Sequence, residues 1–132
     1  MTRKVNALKS KKLAQLVVDS LDDLKGESIR TINVEKLTAI TDYMVIATGR
    51  SSTHIKALAD AVATRAKKAD VEVVGIEGKM QSEWVLVDVG DVVVHIMLAP
   101  VRALYNLEEL WSFDAAVGSE QSGSSEGSAK VL

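Results

Sequence analysis

Residues 84–97, Trp-Val-Leu-Val-Asp-Val-Gly-Asp-Val-Val-Val-His-Ile-Met, constrain the fold more than any other part of this 132-residue chain. Two β-prone runs flank an Asp-x-Gly-Asp turn, which reads as an antiparallel hairpin. With Val89-Gly90 as a two-residue turn, Asp88 faces Asp91, Leu86 faces Val93 and Trp84 faces His95. Side chains alternate across a strand, so Val85, Val87, Val92, Val94 and Ile96 share one side. That set is small, branched and wholly apolar, as the inside of a sheet covered by helices requires. Trp84, Leu86, Val93, His95 and Met97 form the opposite side, which is larger and mixed in character.

Helical and strand periodicities organise the rest. Leu13, Leu16, Val17, Leu21 and Leu24 make one stripe of an amphipathic helix from about Val5 to Lys25, with Gly26 as its stop. Ile29 to Val34 reads as a strand, Leu37 to Thr41 as a connection, and Tyr43 to Ala47 as a strand buried on both faces. A second helix runs from about Thr53 to Lys68, its inner side being Ile55, Leu58, Ala59, Val62, Ala63 and Ala66. Val71 to Ile76 is the next strand and residues 77–82 are a loop. After the hairpin, Pro100 suits the first turn of a helix reaching about Trp111, with Leu104, Leu107 and Leu110 inward.

The order helix, strand, strand, helix, three strands, helix predicts a single α/β domain over residues 1–113. Its core is a mixed five-stranded sheet with helices packed on it. Residues 114–132 are rich in Gly, Ser and Glu and read as a disordered tail. Within that tail Lys130 stands against Asp114, Glu120 and Glu126, which accounts for the net charge of −2 and leaves 1–113 neutral. A neutral body gives no strong electrostatic footprint for nucleic acid, and no specific nucleic-acid site is expected. Arg3, Lys4, Lys9, Lys11 and Lys12 are a local exception; they suit phosphate contact or a solvated helix face.

Composition excludes several classes of chemistry. Cysteine is absent, which removes disulfides, thiolate metal sites and thiol nucleophiles. No apolar run approaches the roughly 18 residues of a membrane span, and no signal-peptide pattern follows the basic N-terminus, so a cytoplasmic location is expected.

Candidate reaction centres are few. Gly49-Arg50-Ser51-Ser52 before a helix fits either an anion site or an ordinary helix cap. Asp70-Val71-Glu72-Val73 resembles the paired carboxylates of a metal-dependent nucleotidyltransferase, the enzymatic alternative, although no third carboxylate stands out. His54 and His95 lack a second ligand at helical spacing, and no Gly-x-Ser-x-Gly elbow is present. The expectation is a protein that is not an enzyme and holds no metal or cofactor. Aromatic residues are only 4% of the chain, yet both tryptophans and one of two tyrosines lie between 84 and 111. Trp84 and Tyr105 suit either the core or an interface, where amphipathic aromatics are favoured anchors.

Several segments together resemble the Iojap family, the ribosomal silencing factors called RsfS. They are Asp42-Tyr43-Met44-Val45-Ile46-Ala47-Thr48-Gly49-Arg50-Ser51-Ser52, then Ala57 to Asp60, Glu77-Gly78, the run from Trp84 to His95, and Arg102 with Tyr105, Leu107, Glu108, Leu110 and Trp111. The likeness spans about Leu13 to Trp111. Met44 and Met97 stand where phenylalanine is common, and the segment near Val34 and Glu35 lacks a frequent aspartate. The resemblance implies a translational repressor that binds the large ribosomal subunit through its fourteenth large-subunit protein. Bound there under nutrient limitation, it would block association with the small subunit. By position, it implies a contact surface of Trp84 and Tyr105 with Leu86, His95, Arg102 and Glu108. It also implies a possible homodimer.

Overall fold

A computed structural model describes residues 9–78, 83–107 and 109. Arg3, Lys4, the 79–82 part of the loop, Glu108, Leu110, Trp111 and the 114–132 tail lie outside the described residues. The elements are α1 (Ser10–Asp23), β1 (Glu27–Asn33), β2 (Tyr43–Gly49), α2 (Ser52–Lys68), β3 (Gly75–Glu77), β4 (Trp84–Asp88), β5 (Val92–Leu98) and α3 (Ala99–Tyr105). They form one mixed five-stranded sheet in the order β1-β2-β5-β4-β3. Only the central β2–β5 pair is parallel; the others are antiparallel.

The two faces of this sheet are covered unequally. On one, Val45 and Ala47 of β2, Val85 and Val87 of β4, and Val92, Val94 and Ile96 of β5 pack against α1 and α2. The hairpin valines and Ile96 predicted to face inward are all at most 2% exposed. Each such side chain contributes on the order of 1.5–3 kcal/mol by leaving water. The helices meet them with Leu13, Val17 and Leu21 from α1 and with Ile55, Leu58 and Val62 from α2, beside Ala59 and Ala66. The opposite face carries a smaller cluster of Ile32, Val34, Met44, Ile46, Met97 and Leu107, with Trp84 and Val101 against it. Because β2 lies between both clusters, all its residues after Tyr43 are buried, as its unbroken apolar run predicted.

Local chemistry sets the helix ends. In α1 the Gly26 N–H donates to the Leu21 carbonyl at 2.8 Å and the Lys25 N–H to Asp22 at 3.0 Å. This is a Schellman closure, and its left-handed residue is Lys25 at φ 65, not Gly26 as predicted. Glycine follows because a Cβ at position 26 would meet the Leu21 carbonyl oxygen at 3.0 Å. Leu24, expected in the buried stripe, is the C-cap and is 40% exposed. The same closure ends α2: Val71 N–H donates to Ala66 and Asp70 N–H to Lys67, with Asp70 at φ 64.

Three further expectations change. The strand predicted for Val71 to Ile76 is only β3, because the chain must first leave the α2 closure through Val71. The hairpin turn is centred on Gly90-Asp91, with the Val89 N–H donating to the Val92 carbonyl at 3.0 Å. Gly90 supplies φ 91, and its N–H is held by Asp88 Oδ1 at 2.8 Å. The partners are therefore Trp84↔Met97, Leu86↔His95 and Asp88↔Val93. Moving the turn by one residue moves every pair by two, so the predicted faces survive while the predicted partners do not. Finally, α3 stops at Tyr105 because Asn106 turns left-handed, at φ 48 and ψ 47. Leu104 consequently points outward at 75% exposed, while Leu107, past the break, is buried at 1%.

Candidate functional site

The less covered sheet face gathers most of the predicted contact residues. Trp84 and Leu86 project from β4, His95 from β5, and Arg102 and Tyr105 from α3. Glu108 is outside the described residues. The Trp84 and Tyr105 rings lie 4.9 Å apart, tilted by 50°, a favourable geometry for an aromatic pair. Tyr105 keeps 45% of its surface exposed and Trp84 is half-buried.

His95 lies beneath this pair. Its ring centroid is 5.8 Å from that of Trp84, and the Trp84 indole Nε1–H donates to His95 Nδ1 at 2.9 Å. These residues are diagonal neighbours across the hairpin, which long aromatic side chains can span. An indole N–H is donor-only and needs an acceptor when taken from water. Nδ1 serves only while unprotonated, and burial holds the imidazole there, lowering its pKa from 6.5 to about 4. At 4% exposed, His95 orients the indole from below and presents almost no surface of its own.

Arg102 fastens α3 to the sheet. Its Nη1 donates to Thr48 Oγ1 at 2.8 Å, at the C-terminal end of β2, where Thr48 is otherwise buried. Beside the aromatic pair runs a groove of about 450 Å³. Met44, Trp84, Leu86, Val93, His95 and Leu107 are among the residues that line it. Ile40, 78% exposed, forms part of the rim. Ile40 is a groove residue that strand and helix periodicity missed; its signal was a bulky apolar side chain inside a connection.

The competing candidates resolve into structural roles. Ser51 is the N-cap of α2, its hydroxyl accepting the His54 N–H at 3.0 Å. The Arg50 N–H donates to His54 Nδ1 at 2.9 Å, which leaves His54 Nε2 to donate to the Leu24 carbonyl at 2.8 Å. His54 thus ties the start of α2 to the end of α1. Gly49 is required by proximity, since a Cβ there would come within 2.7 Å of Ile55 Cγ1. Asp70 and Glu72 lie off any strand, Asp70 in a helix closure, which removes the strand-borne carboxylate pair that the nucleotidyltransferase reading needs. Among the described residues no group of three or more His, Asp or Glu side chains is placed to hold a metal ion. No described helix is long and apolar enough to cross a membrane.

Comparison with known proteins agrees with this architecture. A ribosomal silencing factor RsfS of Chromobacterium violaceum is 46% identical over 99 residues, covering 75% of this chain and 81% of that protein. The mouse mitochondrial assembly of ribosomal large subunit protein 1 is 35% identical over 105 residues, covering 75% of this chain and 46% of the mouse protein. A crystal structure of a Chromobacterium violaceum protein superposes with a TM-score of 0.78 at 44% identity, covering 80% of this chain and 88% of that one. A family profile described as ribosomal silencing factor during starvation matches residues 7–130, and the chain belongs to this RsfS family.

Proposed function

We propose that this chain is a translational repressor that docks on the large ribosomal subunit and sterically prevents the small subunit from joining. The contact is made through the fourteenth large-subunit protein by the face bearing Trp84, Tyr105, Leu86 and Arg102, with His95 as its internal support and with Glu108 joining it as the family resemblance implies. It works in the cytoplasm as a binding factor, not as an enzyme. The observation that carries this reading is the Trp84–Tyr105 pair, held at 4.9 Å above a buried acceptor yet still open to solvent. Obstruction needs affinity and bulk, and an aromatic anchor beside an apolar groove supplies the first. The silencing factors among its relatives, and the mouse protein named for large-subunit assembly, support the choice of partner.

Co-sedimentation with purified large subunits tests the surface. Trp84→Ala or Tyr105→Ala is expected to weaken binding by about 2 kcal/mol, or roughly thirtyfold, with the fold retained. Unchanged sedimentation of both variants would remove this face as the docking site. Mixing purified subunits in the presence of excess protein tests the mechanism, and undiminished joining would refute it.

A further inference from the structure

Besides Trp84, the polar residues that line the groove are Thr38, Thr41, Glu77 and His95. The two threonines spend their hydroxyls on their own loop. Thr38 Oγ1 accepts the Ile40 N–H at 3.1 Å, and the Thr41 hydroxyl donates to the Tyr43 carbonyl at 3.5 Å. The other two keep an open valence. His95 is 4% exposed, yet only one of its ring nitrogens is engaged. Nδ1 accepts the Trp84 indole N–H, so the neutral ring carries its own proton on Nε2. That N–H has no hydrogen-bond partner among the described residues, and it is not sealed from solvent. With Nδ1 under the indole, the ring edge left to line the groove is the one that carries Nε2. A buried donor without an acceptor is unfavourable, and the groove is where an acceptor can arrive. The Glu77 carboxylate is exposed and makes no ion pair among the described residues.

Strand pairing sets these two groups in one row. Glu77 lies opposite Leu86 and Leu86 opposite His95, so all three side chains share the groove face of β3, β4 and β5. Two strand spacings of about 4.8 Å put the ends of the row about 10 Å apart. Leu86 stands between them, with buried Met44 and Leu107 also lining the groove. An acceptor brought to Nε2 must leave water. A neutral carbonyl loses far less hydration than a carboxylate does, and Glu77 would repel a carboxylate besides. Glu77 itself complements a cation. Trp84 belongs both to the aromatic pair and to the groove lining, so whatever docks on the pair is already alongside the groove.

We infer that the groove takes an extended segment of the large-subunit protein partner, which seats a bulky aliphatic side chain beside Leu86, gives a main-chain carbonyl to His95 Nε2–H and sets a lysine or arginine against Glu77. The inference rests on the docking reading above and names what the partner must present. An extended segment crossing the strands covers the row in about three residues. Tyr105 and Trp84 then anchor the contact, while His95 and Glu77 select the sequence that fits.

The test observes the His95 ring in the full chain, labelled with nitrogen-15 and titrated with the purified fourteenth large-subunit protein. In the free chain Nε2–H exchanges with water; in the complex a protected, downfield-shifted Nε2–H resonance is expected. Glu77→Lys should weaken binding roughly tenfold at low KCl, and the loss should shrink as KCl rises. His95→Asn, which keeps an acceptor for Trp84 but cannot reach the groove with a donor, should bind roughly tenfold more weakly, and His95→Gln should recover part of that loss. Binding that shifts the Trp84 and Tyr105 signals and leaves Nε2–H unprotected overturns the proposal, as does a Glu77→Lys effect that is absent or independent of salt. A protected Nε2–H in the unbound chain also overturns it: constant with concentration, it marks the chain's own segment in the groove, and growing with concentration, a second copy. Failure of the docking reading looks different, because no signal of this face then moves when the partner is added, and the inference falls with it.

Discussion

Acidification should destabilise this protein through His95. In the folded chain burial lowers the imidazole pKa from 6.5 to about 4, and its Nδ1 accepts the Trp84 indole N–H. The unfolded chain takes up a proton as pH falls through 6.5; the folded chain does not until about 4. The unfolded state therefore binds more protons across that window. Stability is fully present above pH 6.5 and is lost as pH falls towards 4. At about 1.4 kcal/mol for each tenfold change in proton affinity, the full effect is about 3 kcal/mol, of which about 2 kcal/mol is lost between about pH 7 and pH 5. For a domain near 100 residues, that lowers the melting temperature by roughly 8–16 °C. The assay is urea unfolding followed by far-ultraviolet circular dichroism at a series of pH values, for the parent and for His95→Gln. Glutamine retains an acceptor but does not titrate, so the variant should be less stable at neutral pH and much flatter over this window. Parallel curves would refute the argument, because the loss would then belong to other groups.

Three more outcomes follow from individual residues. Gly49→Ala should cost about 1–3 kcal/mol in chemical denaturation, because its Cβ would press on Ile55, which is fully buried and has no room to retreat. Asp70→Gly should raise stability by up to about 1 kcal/mol by relieving a left-handed non-glycine residue, whereas a catalytic Asp70 would have to be retained for function. Leu107→Ala should destabilise by about 2–5 kcal/mol and loosen the groove beside Trp84, so that subunit binding falls together with the melting temperature.

The candidate site was legible in part. Trp84 and Tyr105 were marked by the concentration of aromatics in an aromatic-poor chain, and the family resemblance put them on one surface, but their ring contact depends on how α3 packs back against the sheet. His95 was legible as a neighbour of Trp84 but not as its buried support, since burial depends on what α3, Leu107 and the sheet enclose. Arg102 gave no sequence sign that it would reach Thr48, 54 positions earlier in the chain.

Element order, the identity of both hairpin faces and the presence of a capping serine before α2 were legible in the sequence itself, while the structure selected Ser51 over Ser52 as the cap. They rest on short-range rules: side-chain period, turn chemistry and hydrogen bonds spanning three or four residues. Tertiary structure decided the rest. It placed β5 parallel to β2 at the centre of the sheet and centred the hairpin on Gly90-Asp91. It broke the last helix at Asn106 and sent Leu107 inward while Leu104 turned out to solvent. The reason is physical: a two-residue shift in pairing leaves every face unchanged, so local pattern is blind to it. Only contacts between distant segments, such as the Asp91 carbonyl accepting the Asp42 and Tyr43 N–H groups at 3.0 Å, distinguish one register from the next.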